Sequence, residues 1–150
     1  MSVLAEIRAE IADMLRDSNL DGQLSIFAHV PGDMPLPHVV IVPRAEDYVE
    51  YHGTFGPNRN MVVNLIARVV YPIGGSIESG DIALDGFLSS GTTEDRSVVD
   101  ALAFTGVLPG GDSFTISVGN ATNHLYGEFG VDRQPTVSAE IPLLVQIYRS

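Results

Sequence analysis

The stretch "NMVVNLIARVVYP", residues 60–72, decides the fold. Read at period two, Met61, Val63, Leu65, Ala67, Val69 and Tyr71 make one unbroken apolar face of a strand. The other face reads Val62, Asn64, Ile66, Arg68 and Val70: three β-branched aliphatics with one amide and one arginine between them. Most of that second face must therefore be covered, either by another part of this chain or by another molecule. At about 3.3 Å per residue the strand extends roughly 35–40 Å, longer than a usual strand. The preceding "DYVEYHGTF" alternates as well, with Val49, Tyr51 and Phe55 on one side and Tyr48, Glu50, His52 and Thr54 on the other. "GPNRN" supplies the turn, so residues 48–71 read as a hairpin with a long arm that projects beyond the body of the domain.

Outward from this hairpin the other elements follow. Ser2 caps a first helix in which Val3, Leu4, Ile7, Ile11, Met14 and Leu15 fall at helical spacing, with Glu6, Arg8, Glu10 and Asp13 largely opposite. "QLSIFAHVPGDMPLPH" is a short strand running into a Pro-rich loop, and "HVVIVPR" (38–44) a buried strand. After the hairpin, "IGGSIESGDIALDGFLSSG" and "TTEDRSVVDALAF" are two shorter helices. Ile77, Ile82, Ala83, Phe87 and Leu88 form the core face of the first, and Thr92 or Thr93 ahead of Glu94 and Asp95 starts the second. Phe114, Ile116 and Val118 face one way in the next strand. "NHLYGEFGVD" is another, and "TVSAEIPLLVQIYRS" the last, with Val137, Ala139, Ile141, Leu143, Val145 and Ile147 on one face. Pro142 has no N–H for a ladder, which places this last strand at an edge or makes it bulge there. Segregated runs of strands predict a single α+β domain over residues 1–150. Its mostly antiparallel sheet, with the long β-hairpin, packs against an N-terminal helix and two short helices.

Composition bounds the function. At 150 residues the chain builds one core, and no apolar run reaches the length of a membrane span. Its N-terminus reads as a structural helix, since acids interrupt the apolar residues where a signal peptide would have a basic region. Without cysteine there is no disulfide, thiolate chemistry or Cys-based zinc site. All eight basic residues are arginine, which excludes a lysine Schiff base or a P-loop lysine. The net charge of −11 disfavours tight nucleic-acid binding.

Catalytic signatures are wanting. His29, His38, His52 and His124 show no HxxxH or HxH spacing, no serine sits in a GxSxG elbow, and "GGDS" (110–113) opens a strand instead of a helix. The adjacent acids of "AED" (45–47) and "TED" (93–95) read as a turn and a helix start. The expectation is a non-enzyme with no cofactor and no metal. What stands out is the second sheet face, where Val62, Ile66 and Val70 are joined by Leu144 and Tyr148 from the last strand. Either the two short helices cover it or a neighbouring molecule does.

In layout, over nearly its whole length, the chain resembles the tail terminator (tail-completion) proteins of long-tailed bacteriophages. The likeness lies in the order of an amphipathic N-terminal helix, "PHVVIVPR", the hairpin "YVEYHGTFGPNRNMVVNLIARVVYP", the paired helices "SGDIALDGFLSSGTTEDRSVVDAL" and the closing "AEIPLLVQIYRS". The resemblance implies a virion structural protein, assembled in the host cytoplasm. It would form a homohexameric ring that caps the tail tube, ends tube polymerisation and offers a surface to the neck. The implied partners are other copies of itself, the major tail tube protein and the head–tail connector, with DNA passing through the bore without specific binding. On that reading Val62, Ile66, Arg68, Val70, Leu144 and Tyr148 lie at the subunit interface. Arg68 pairs with an acid of the adjacent subunit or of its own chain. Phe55, Pro57 and Arg59 at the hairpin tip dock on the tube or neck, or form an ordinary turn. Two readings compete: a head–tail connector of the neck, and a small α+β enzyme or ligand-binding domain gathering His38, His52 or His124 with acids in a pocket.

Overall fold

The computed structural model describes residues 2–18, 20, 23–52, 60–89, 97–102 and 105–149. Helix α1 (Val3–Asp17) leads into β1 (Ser25–Phe27), β2 (His38–Pro43), β3 (Val49–His52) and β4 (Asn60–Pro72). Helices α2 (Ile77–Leu88) and α3 (Val98–Ala101) follow, then β5 (Thr105–Val107), β6 (Ser113–Val118), β7 (Thr122–Phe129) and β8 (Gln134–Tyr148). The fold is α+β. All eight strands join one mixed, mostly antiparallel sheet in the order β1-β2-β4-β8-β6-β5, with β3 paired to β4 and β7 paired to β8. Among the described strands only β1 and β2 run parallel. The short strand β5 is an addition to the sequence reading, which left its three residues outside any strand.

Two long strands form the spine. β4 and β8 pair without interruption from Met61↔Ile147 to Pro72↔Thr136. The long arm of the hairpin therefore does not project over its described length; β8 accompanies it. Each spine strand is flanked on its outer edge by two shorter strands laid end to end. On β4, β2 takes Leu65–Val70 and β3 takes Asn60–Val63, leaving Asn64 between them. On β8, β6 takes Leu143–Tyr148 and β7 begins at Glu140, leaving Ile141 and Pro142 between.

That notch explains Pro142. The expected edge position is wrong, because β8 is a central strand with neighbours on both sides. The Pro142 carbonyl accepts from Gly119 N–H at 2.8 Å, on the side away from β4. A strand residue points its N and its C=O to the same side, so the missing donor also faces the notch and β4 loses nothing. Gly119 is required here for space: a Cβ on it would lie 2.7 Å from Pro142 Cγ.

The helices share one face of the sheet. Ser2 Oγ caps α1 by accepting from Ala5 N–H, and Ile7, Ile11, Ala12 and Leu15 are fully buried over β1 and β2. Arg8 and Arg16 do not merely solvate the helix. Arg8 donates to the carbonyls of Ala28 and Ile41, and Arg16 to that of Ile26, covering acceptors along the β1 side of the sheet. Helix α2 packs on β4 and β8 through Gly80, Leu84 and Phe87. Ile77 and Ile82, expected in the core, are 59% and 65% exposed. The close approach decides the face: at Gly80 a Cβ would stand 3.2 Å from Ile73 Cγ1 and 3.5 Å from Val137 Cγ1, so the helix backbone rides directly on the sheet. Among described residues α3 is a single turn capped by Ser97; Thr92, Thr93, Glu94 and Asp95 lie outside the described residues.

Beneath these helices the odd positions of both spine strands are closed to solvent. Val63, Leu65, Ala67 and Val69 of β4, and Val137 through Ile147 at alternate positions of β8, are at most 1% exposed. The period-two reading of the opening stretch is correct for this face.

Candidate functional site

The opposite face carries the even positions, and the register orders them into rows across the sheet. Val40, Arg68 and Glu140 form one row, followed by Val42, Ile66 and Pro142, then by Asn64, Leu144 and Ser117. Val62, Gln146 and Thr115 come next, and Tyr148 stands opposite Ser113 beyond them. The short helices do not cover this face, since they lie on the other one. At one end the chain covers itself: Val30 and Met34 from the segment before β2, with Leu125–Phe129 of β7, line an open cleft of about 320 Å³ over Val40, Val70 and His38. Val40 and Val70 are 1% and 5% exposed, so Val70 is already buried in the single chain and is not available to a neighbour as expected.

Among the described residues, no element lies over the other end. Val62 and Ile66 are half-buried, while Leu144 and Tyr148 are exposed. They follow one another along the spine, with Pro142 beside Ile66. Tyr148 OH donates to Gln146 Oε1 at 3.0 Å, which holds the ring against the sheet beside a groove of about 200 Å³ lined by Asn60, Met61, Val62, Gln146 and Ile147. Four large side chains in a continuous strip on a sheet surface are the kind of patch that interfaces use.

Arg68 is paired within its own chain. It faces Glu140 in register, and its Nε and Nη2 donate to Glu140 Oε2 at 3.1 and 2.9 Å. Asn123 Nδ2 donates to the other carboxylate oxygen. Partial burial pushes the Glu140 pKa up, but the Asn123 hydrogen bond and the hydrogen bond and charge of Arg68 more than offset it, leaving the carboxyl below its ordinary value. Of the two expected partners for Arg68, the intrachain acid is the one present.

Asn64, read from sequence only as an amide on the watery face, is 4% exposed and organises the β2–β3 corner. Its N–H donates to Tyr48 O and its carbonyl accepts from Arg44 N–H. Its Nδ2 donates to Asp47 O and Glu50 Oε2. The alternation around it, apolar on both sides, was the only signal of its burial. The hairpin-tip residues Phe55, Pro57 and Arg59 lie outside the described residues.

Among the described residues the histidine side chains do not converge. His38 is buried between Phe27 and Phe129 on the second face, whereas His124 lies 3.2 Å from Asp81 of α2, beside Tyr126, on the helix side. His29 is exposed, and the side chain of His52 is outside the described set. No group of three or more His, Asp or Glu side chains suited to a metal occurs among the described residues. Glu46 and Asp47 of "AED" are exposed in the β2–β3 connection, with Asp47 at φ 52°. No helix among the described residues is long and apolar enough to cross a membrane.

These features define an α+β domain with one helix-covered sheet face and a second face that is part cleft, part open apolar strip. No protein-family model matches the chain, and no curated protein matches it. One solved structure, whose name describes no activity, is similar over 97% of this chain and 93% of its own length, at 16% identity and a TM-score of 0.49. At that distance the likeness decides neither fold nor function.

Proposed function

We propose that this chain is a virion structural protein, a tail terminator that assembles as a homohexameric ring on the end of a phage tail tube. The observation that carries the reading is the open strip Val62, Ile66, Leu144 and Tyr148 on the two spine strands, on the sheet face opposite the helices. A single-chain domain gains nothing from leaving such a strip in water, whereas a subunit of a ring buries it against its neighbour. Ring closure needs a second, different patch on the same subunit. The exposed Leu125 and Val131 at the β7–β8 hairpin supply apolar surface away from the strip. The net charge of −11 suits a bore through which DNA slides without adhering.

Mass photometry over a concentration series, followed by negative-stain imaging with and without tail tubes, tests the proposal. Six-membered rings, free or on tube ends, are expected. Leu144→Asp should abolish them while the far-ultraviolet circular dichroism is unchanged. A monomer at every concentration that neither binds tubes nor limits their length overturns the reading. Rings that bind the portal side and ignore tubes would assign the chain to the head–tail connectors.

A further inference from the structure

The sheet ends on two stepped edges. On one side β5 stands beyond β6, while no described strand stands beyond β7; on the other β1 stands beyond β2, while none stands beyond β3. The recessed halves lie at opposite ends of the spine, β7 beside Gln134–Glu140 of β8 and β3 beside Asn60–Val63 of β4. Which backbone groups they present follows from the register. Ile73 N–H donates to Pro135 O and Gly119 N–H to Pro142 O, so odd residues of β8 turn their backbone groups to β4 and even ones away from it. Leu125, Gly127 and Phe129 pair with the even residues Ser138, Thr136 and Gln134, which leaves the N–H and C=O of Tyr126 and Glu128 pointing outward. Asn64 N–H donates to Tyr48 O, so even residues of β3 face β4 and the groups of Val49 and Tyr51 point outward. The register shift between Thr122 and Leu125, with Asn123 at φ 54°, limits the regular edge of β7 to Leu125–Phe129.

The two edges suit each other across a contact between copies. β3, β4, β8 and β7 pair antiparallel in turn, so β3 runs antiparallel to β7, and their outer edges face opposite ways. A second copy displaced along the sheet, without being turned over, brings its β3 antiparallel onto β7 with the helix faces on the same side. Two β7 edges, or β7 with β5, would meet only after a half-turn, which closes at two subunits. The β1 side is already taken up by Arg8 and Arg16, which donate to the carbonyls of Ala28, Ile41 and Ile26. We propose that β7 of one subunit pairs with β3 of the next, with Tyr126 opposite Tyr51 and Glu128 opposite Val49. Each pair exchanges both backbone bonds. Tyr126 and Tyr51, 53% and 62% exposed, both lie on the helix face and become a cross-strand aromatic pair. Gly127 falls opposite the neighbour's Glu50, where it has no side chain to disturb the Glu50–Asn64 hydrogen bond. Leu125 arrives on the face of the neighbour's strip, with only β3 between it and Val62. This pairing rests on the ring proposed for the chain and gives its contact a direction and a register.

The chain has no cysteine, so added thiols report on the chosen positions alone. Residues opposed in a hydrogen-bonded pair have Cα atoms about 5.5 Å apart, within disulfide reach. On oxidation, the full chain carrying both Tyr51→Cys and Tyr126→Cys should give a ladder of covalent oligomers ending at six on a non-reducing gel, and either single variant should stay monomeric. Glu128→Pro replaces an outward N–H with a ring and should abolish the rings seen by negative stain. Val107→Pro, outward on β5 by the same count, should leave them, and both variants should keep the wild-type circular dichroism. Six-membered rings without the cross-link would overturn this pairing and leave the ring standing. A cross-linked ladder without rings of six would uphold the pairing and remove the ring. Single variants that dimerise as readily as the double variant cross-links would replace the pairing with a half-turn contact, and neither ladder nor rings would overturn both.

Discussion

Gly119→Ala tests the notch between β6 and β7, the feature that lets a proline sit in a central strand. The new Cβ would stand 2.7 Å from Pro142 Cγ, with Pro142 O at 3.4 Å and Cβ at 3.5 Å. Only the first contact is impossible, and it belongs to a ring tied to the β8 backbone, so it cannot swing aside as a flexible side chain would. Overpacking of this kind costs about 1–3 kcal/mol. The loss of glycine's freedom in the unfolded chain returns about 0.4–1 kcal/mol, since the φ of Gly119 is one alanine tolerates. The net expectation is a loss of about 1–2 kcal/mol. In a chain of this size that lowers the Tm by about 2–8 °C. Removing the ring first reverses the outcome. Pro142→Ala deletes Cγ, after which the nearest atoms stand at ordinary contact distances and Gly119→Ala becomes neutral or mildly stabilising. Urea denaturation of both single variants and the double variant should therefore give a coupling of about 2 kcal/mol. Additive effects would refute the reasoning, because they would mean that the strand ends do not meet over the Pro142 ring.

Leu84→Ala, at a fully buried site, should cost about 2–4 kcal/mol, whereas Ile82→Ala on the exposed side of α2 should change stability by less than about 0.5 kcal/mol; equal losses in urea melts would place α2 on the wrong face. Burial lowers the His38 pKa, the Pro35 hydrogen bond opposes this, and the Arg68 charge adds to the lowering, so the unfolded chain takes up a proton that folded His38 resists. Stability should be full above pH about 6.5 and fall as the pH drops below it, and His38→Phe should flatten that slope except for a residue due to His29, which is shifted in the same direction. The depressed carboxyl of Glu140 acts with the opposite charge type: its contribution is present above pH about 4.5 and is lost as the pH falls through its folded pKa. Glu140→Gln should cost about 1 kcal/mol or less at neutral pH, given the half-exposed Arg68, and the gap from wild type should close in acid.

What was legible in the sequence was whatever a single periodicity could carry. The odd positions of β4 and β8 alternate without a break, and α1 repeats its apolar residues every third or fourth position, so both faces followed directly. Helix α2 carries apolar residues around much of its circumference; of the expected core face Phe87 is buried while Ile77 and Ile82 are exposed, and Leu84, outside that face, is buried, a ranking hydrophobicity alone cannot make. The choice falls to Gly80, because a missing side chain lets the backbone approach Ile73 and Val137, a gain no hydropathy pattern registers. Pro142 misled for a similar reason. The rule that proline avoids central strands concerns a donor facing a neighbour, and here the neighbour on that side changes from β6 to β7 at that point.

The same geometry settles the opening question about the even positions of β4, and it divides them. At the Val70 end, residues distant in sequence, Val30, Met34 and those of β7, come beside the sheet, something a reading of local pattern had no means to anticipate. At the Val62 end no described element lies over the strip, and Asn64 stands where the change occurs. Its side chain ties the β2–β3 corner to β4, where β3 continues in the sheet beside β4 at Asn60–Val63. One strand thus has two surroundings: its Val70 half is covered within the chain, and its other half leaves Ile66 and Val62 beside Leu144 and Tyr148 as the apolar strip on which the proposed ring contact rests.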